Sequence, residues 1–143
     1  MVAYQLSIFA ENKPGKLARV TGVLAKEKIN IRATTIATAD TFGVINLIVD
    51  DPRRAEKALS DAGMTVHLRE VLAVLIPDQP GGLDSLTQLF QKEGVNVNNA
   101  YGFVLEGSKK AVFVVDVDQI RKTEKLLEHE GFKTLDTQSL SSV

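Results

Sequence analysis

The sequence predicts an α+β chain of two consecutive βαββαβ units, each an antiparallel sheet with both helices on one face. Three observations predict it. The chain repeats itself at an offset of 66 residues, as from Pro14 to Pro80; strand and helix periodicities alternate in the same order in both halves; and the most apolar strands stand first and third in each half. A repeat of roughly 65–70 residues is a small domain rather than a solenoid unit, so the boundaries are read as 1–70 and 71–143.

The repeat is carried by particular residues. ENKPGKLARVTGVLAKEKINI (11–31) falls on PDQPGGLDSLTQLFQKEGVNV (77–97), setting Gly15 on Gly81, Leu17 on Leu83, Lys26 and Glu27 on Lys92 and Glu93, and Asn30 on Asn96. The frame reads on to Val49 and Asp50, opposite Val115 and Asp116. It then slips by two, so that Glu56, Lys57, Leu59 and Gly63 meet Glu124, Lys125, Leu127 and Gly131.

Residues 4–9 and 71–76 are short apolar runs ended by polar, Pro- and Gly-containing stretches, which suits buried strands. Leu17, Val20, Thr21 and Leu24 recur at helical spacing, as do Leu83, Leu86, Leu89 and Phe90. Alternation follows: Val95, Val97, Asn99, Tyr101 and Phe103 are expected on one side of a strand with Asn96 and Asn98 on the other, and Ile29, Ile31 and Ala33 repeat the pattern. Turn residues at 40–43 and 106–108 lead into VINLIVD and AVFVVDV, nearly continuous apolar runs that read as central strands. A second helix over 52–62 buries Ala55, Ala58, Leu59 and Ala62, with Pro52 in its first turn and Gly63 as its stop; its counterpart carries Ile120, Leu126 and Leu127 and stops at Gly131. This order is ferredoxin-like, with the first and third strands in the middle of each sheet. From Met64 to Ile76 the last strand of one half runs into the first of the next without Gly, Pro or Ser, which predicts a closely tethered intrachain pair. A sheet covered on one side leaves a face and its edges for a partner, so a homodimer is expected. The tail, 138–143, is expected to fray.

Composition narrows the function. Seventeen Lys and Arg against eighteen Asp and Glu leave no basic surplus for nucleic acid or an anionic membrane. No Cys is present, which excludes thiolate catalysis and thiolate metal sites, and two His do not make a three-His site. The start has no signal-like charge pattern and no run reaches transmembrane length, so a soluble, cytoplasmic protein without cofactor or metal is expected.

One loop recurs with chemical potential. Asn12-Lys13-Pro14-Gly15-Lys16-Leu17 and Asp78-Gln79-Pro80-Gly81-Gly82-Leu83 each join a first strand to a first helix. Pro fixes φ for helix entry, Gly permits close backbone approach, and the helix start offers free amides from Gly15 to Leu17 and Gly81 to Leu83. Those amides and the helix dipole suit a carboxylate, while Asn12 or Asp78 can accept from an ammonium, together the demands of an α-amino acid. The same residues also describe an ordinary turn in which Asn or Asp caps the helix.

Each half resembles an ACT domain, a small ligand-binding regulatory module attached to enzymes of amino-acid metabolism. The carriers are the N/D-x-P-G-x-L loops, the I-N-I and V-N-V triplets at 29–31 and 95–97, and the element order, over about residues 3–138. The resemblance implies a stand-alone tandem regulatory protein with no catalytic domain, binding an amino acid where two such units meet, between the loop of one and the second strand of its neighbour. It nominates Asn12, Gly15, Lys16, Leu17, Asp78, Gly81, Gly82 and Leu83 from the loops, and Asn30, Ile31, Asn96, Val97 and Asn98 from the strands. The second loop is favoured for ammonium recognition, since Asp78 is anionic and Gly82 offers more room than Lys16. A regulated enzyme or another protein would read the bound state.

Other candidates read as structural. His67 and His129 are expected on the surface, Arg53-Arg54 and Lys109-Lys110 as solvated charge pairs, and no Ser, Thr or Lys stands in a nucleophile motif. The leading alternative to an amino-acid sensor is a ligand-independent interaction and oligomerisation module.

Overall fold

A computed structural model describes residues 1–143. In chain order its elements are β1 (Ala3–Glu11), α1 (Lys16–Lys26), β2 (Ile31–Ala39), β3 (Phe42–Val49), α2 (Pro52–Asp61), β4 (Thr65–Pro77), α3 (Gly82–Lys92), β5 (Val97–Val104), β6 (Lys110–Val117), α4 (Ile120–His129), β7 (Lys133–Leu135) and α5 (Thr137–Ser142). The chain divides into an N-terminal unit, Tyr4–Arg69, and a C-terminal unit, Glu70–Val143 with Met1–Ala3. The division falls inside β4. The three N-terminal residues join the C-terminal unit because the Met1 ammonium donates to Thr134 at 3.0 Å and pairs with Glu124 at 2.7 Å, while Val2 packs on that unit's core.

Each unit is an α+β, ferredoxin-like sheet. In the N-terminal unit the strands run β2-β3-β1-β4, and in the C-terminal unit β5-β6-β4-β7, so the first and third strands of each unit are central. Those strands are central because their side chains are apolar on the helix side. Leu6, Ile8, Ile45, Leu47 and Val49 meet Val20, Leu24, Ala55 and Leu59 of the helices in one core; Leu72, Val74, Ile76, Val115 and Val117 meet Leu86, Leu89, Phe90 and Leu127 in the other. Each fully buried Leu contributes about 1.5–3 kcal/mol relative to exposure.

Two differences from the sequence reading reposition candidate residues. The two-residue slip between repeats lies earlier than Val49. Leu6 pairs with Leu47 and Ala10 with Gly43, whereas Leu72 pairs with Val115 and Ile76 with Ala111. Val49 therefore corresponds to Val117, each opposite the first residue of its neighbouring strand, Ile31 or Val97. The extra residues lie between β5 and β6, in an exposed connection where insertions disturb no core contact.

The second difference is a β-bulge. Register shifts between Ile31 and Ala33 and again between Val97 and Asn99, placing an unmatched residue at Arg32 and at Asn98. Strict alternation ends there. Val97 and Ala100 face the helix-side core, so Asn99, Tyr101 and Phe103 face away from the helices instead of sharing a side with Val95 and Val97; Ala33 departs from Ile31 in the same way. On that opposite face of the N-terminal sheet, Ser7 donates to Asn46 at 2.8 Å and Gln5 donates to both Ser7 and Asn46, at 3.1 and 3.2 Å. All three side chains are buried, so these bonds replace the water each polar group gave up.

Two surface expectations also change. The tail is ordered as α5: Asp136 accepts from the Ser139 amide at 2.7 Å, and Leu140 is fully buried. Arg54 does more than meet solvent, donating to the Glu27 carbonyl and lying 3.4 Å from its carboxylate, which ties the start of α2 to the end of α1. Arg53 stacks 5.7 Å from the Tyr4 ring centre. His67 is exposed, as the sequence implied, with its ring edge-on to Phe9 at 5.5 Å, and His129 is exposed on α4.

Burial and the neighbouring Asp116 carboxylate both push the Tyr101 phenol well above its ordinary range. Because the folded pKa is the higher one, the stability this group contributes is complete below about pH 10 and is lost as pH rises above the unfolded-state value. In absorbance titration, Tyr101→Phe should remove an ionisation that lies well above pH 10. Loss of an ionisation at the ordinary tyrosine value instead would contradict the burial assigned to Tyr101.

Candidate functional site

Both Pro-Gly loops adopt one backbone. Gly15 (φ 89°) and Gly81 (φ 85°) hold the N-cap positions of α1 and α3 in the left-handed region, which a residue with a Cβ enters only with strain. Neither helix start has a side-chain cap, so Asn12 and Asp78 are not the capping residues that the ordinary-turn reading would make them. Their backbones are anchored instead: the Asn12 amide donates to Thr41 O at 2.7 Å and the Asp78 amide to Lys109 O at 2.8 Å. Both side chains are exposed.

The free amides are fewer than expected. Lys16 N–H closes a turn on Lys13 O at 3.3 Å, and Gly82 N–H on Gln79 O at 3.0 Å. Gly15 and Leu17 in the first loop, and Gly81 and Leu83 in the second, keep amides without a backbone acceptor. These carry the partial positive charge of the helix start.

Gly82 is also reassigned. It is buried, and a Cβ on it would stand 2.1 Å from the Pro77 carbonyl oxygen. The absent side chain therefore makes room for the protein's own strand end, not for a ligand. Lys16, at the same point of the first loop, is half-exposed and lies near the Glu11–Lys13 ion pair of 2.7 Å. The hydrogen bond and charge of Lys13, with a contribution from Lys16, hold Glu11 below its ordinary carboxylate range. The first loop is thus cationic; the second carries the Asp78 carboxylate, with Gln79 and Gly82 at the places of the two lysines.

The strand residues lie elsewhere within each unit. Ile31 and Val97 turn their side chains onto the helix-side cores, leaving only backbone for a ligand. Asn30 exchanges contacts with Asp50: its amide donates to the carboxylate at 3.1 Å and its carbonyl accepts from the Asp50 amide at 3.1 Å. Asn98 Nδ2 donates to Asp118 at 2.6 Å, and Asn96 Nδ2 to Asn98 at 3.4 Å. From Asn98 to Val104, the end of β5 nearest the loop, the strand advances about 20 Å. The two nominated groups do not meet inside either unit.

The surroundings of the second loop include residues that sequence reasoning missed. Ile76, Gly102, Val104, Ala111 and Phe113, together with the nominated Leu83, line a cavity of about 410 Å³ beside Asp78. The available signal was the difference between Ile36 and Gly102 at one position of the repeat. No three His, Cys, Asp or Glu side chains converge as a metal site needs, and no helix is long and apolar enough to cross a membrane.

Comparison with known proteins agrees with this architecture. The family described as an ACT domain pair matches residues 1–143. A probable acetolactate synthase small subunit of Archaeoglobus fulgidus is 23% identical, over 92% of this chain and 90% of its own length. A Bacteroides thetaiotaomicron protein of known crystal structure superimposes with a TM-score of 0.93 at 37% identity, covering 100% of this chain and 98% of its own. The regulatory subunit of aspartate kinase from Thermus thermophilus, in its ligand-free form, shares the fold with a TM-score of 0.61 at 17% identity, over 87% of this chain and 88% of its own.

The role of Gly82 is open to test. Gly82→Ala should destabilise the protein by about 1–3 kcal/mol in urea unfolding, because the new methyl meets a backbone oxygen. Lys16→Ala should change stability by no more than about 0.5 kcal/mol. Equal effects would contradict the assignment.

Proposed function

The chain belongs to the ACT domain-pair family, and from that premise we propose that it is a non-catalytic regulatory protein that binds a free α-amino acid at the second Pro-Gly loop and presents the bound state to a protein partner. One observation carries the reading: the uncapped start of α3, with amides at Gly81 and Leu83, lies beside an Asp78 carboxylate that makes no ion pair within the protein. A carboxylate is complementary to the helix start and an ammonium to Asp78, and one small molecule carries both. The first loop offers the carboxylate half with Asn12 in place of the anion, amid Lys13 and Lys16, and is the weaker site for a zwitterion.

The strand triad Asn96, Val97 and Asn98 is about 20 Å from its own loop. A ligand that met both groups would take them from different units, and we propose a homodimer as the assembly that completes the site. Ligand contacts on both sides of an interface favour one packing over another, which is how binding becomes a signal. The name of the archaeal relative, a small subunit of a synthase, supports a larger enzyme subunit as the partner.

The interaction-module alternative keeps one specific support, the edge strands β2 and β5, each paired on one side only. Thermal denaturation with each of the twenty amino acids at millimolar concentration separates the two readings. At 100-fold above the dissociation constant a ligand adds about 2.7 kcal/mol of stability. At least one amino acid should raise the melting temperature, and Asp78→Asn should weaken its binding by about tenfold or more. Stabilisation by none of them, with oligomeric state unchanged in an Asp78→Ala, Gly81→Val double variant, would favour the interaction module.

A further inference from the structure

Two cavities occupy the same place in the two units, yet the one beside the first loop is about 100 Å³ and the one beside the second about 410 Å³. Each is walled by the end of the unit's first strand, its Pro-Gly loop, the first leucine of the following helix, and the distal ends of the two hairpin strands. Strand register makes the comparison residue by residue. Ile36 stands opposite Ile45, and Gly102 stands opposite Phe113 at the matching position.

Ile36, 49% exposed, projects its side chain into the first cavity. Gly102 projects nothing into the second, and a Cβ built there would come within 3.3 Å of both the Phe113 ring and the Val112 carbonyl oxygen. Charge differs in the same direction. Glu11, Lys13 and Lys16 line the first cavity, whereas Asp78 is the one charged residue lining the second. Beyond Asp78, the second cavity presents Ile76, Leu83, Val104 and Phe113, with Val104 65% exposed at its mouth. Gln79, on the loop side, is the one uncharged polar side chain of the lining; away from it, a charged ligand side chain placed among the apolar groups would give up water without a matching partner, whereas an apolar one would bury both its own surface and theirs.

We infer that the second cavity is the side-chain pocket of the amino-acid site, that it selects an apolar side chain of leucine or phenylalanine size, and that Gly102 keeps it open. This rests on the reading that the Asp78 loop holds the amino-acid backbone of the ligand. It adds which side chain enters, which residue decides it, and why the first unit does not take the same ligand: Ile36 and the two lysines occupy or charge the space.

Calorimetric titration of the full chain with glycine, alanine, leucine, phenylalanine, aspartate and lysine tests it, using wild type, Gly102→Ala and Gly102→Ile, each checked for native circular dichroism. Leucine or phenylalanine should bind at least about tenfold more tightly than alanine. Gly102→Ile should remove most of that advantage while alanine binding changes little. Gly102→Ala, one methyl larger than wild type, should give a smaller loss and serves if the isoleucine variant does not fold. Preference for aspartate or lysine, or unchanged leucine affinity in a folded Gly102 variant, would overturn the pocket assignment and leave the amino-acid reading in place. Binding of none of the six to wild type would overturn the pocket, and silence across all twenty amino acids would overturn the underlying reading as well.

Discussion

A glycine in the left-handed region at the entrance to the first helix of each unit sets the geometry on which the site depends. Gly15 and Gly81 let a strand give way to a helix within a few residues, so α1 and α3 fold back over the sheet and drop Val20, Leu24, Leu86 and Phe90 into the cores. The same conformation leaves no side chain to cap the helix. The uncapped amides and the packed helix are therefore consequences of one backbone choice, and a ligand that satisfies those amides would do so at little cost in reorganisation.

Duplication preserved that backbone and let the side chains around it diverge. At corresponding points stand Asn12 and Asp78, Lys13 and Gln79, Lys16 and Gly82, and Ile36 and Gly102. Three of these differences point the same way for a zwitterion with an apolar side chain, supplying an anion, removing positive charge, and opening space. Lys16 and Gly82 are a separate matter: Gly82 admits the Pro77 carbonyl, so that difference concerns how closely α3 seats on the end of β4.

The element order, the central strands and the two loops were legible in the sequence because apolar periodicity and Pro-Gly punctuation report directly on backbone conformation. What escaped was governed by pairing between strands. Nothing in VNVNNAYGF marks Asn98 as unmatched, since a bulge depends on how β5 registers against β6, and one unmatched residue was enough to turn Tyr101 and Phe103 to the other face. The place of the two-residue slip was hidden because VINLIV and VFVVDV are both apolar in several frames. Gly82 read as ligand space because the sequence does not show what fills the place of an absent Cβ. Arg54 and the tail helix were missed for a related reason, since both are held by partners remote in sequence or by a cap visible only once the chain has turned.

We propose one working site, the second, on two backbone-equivalent loops. Two-dimensional amide NMR of the full chain titrated with L-leucine tests it most directly, because Gly15 and Gly81 report separately from their two loops. Saturable shifts are expected at Gly81, Leu83 and Gly102 with Gly15, Leu17 and Ile36 unmoved. Equal shifts at both loops, or shifts at the first alone, would contradict it.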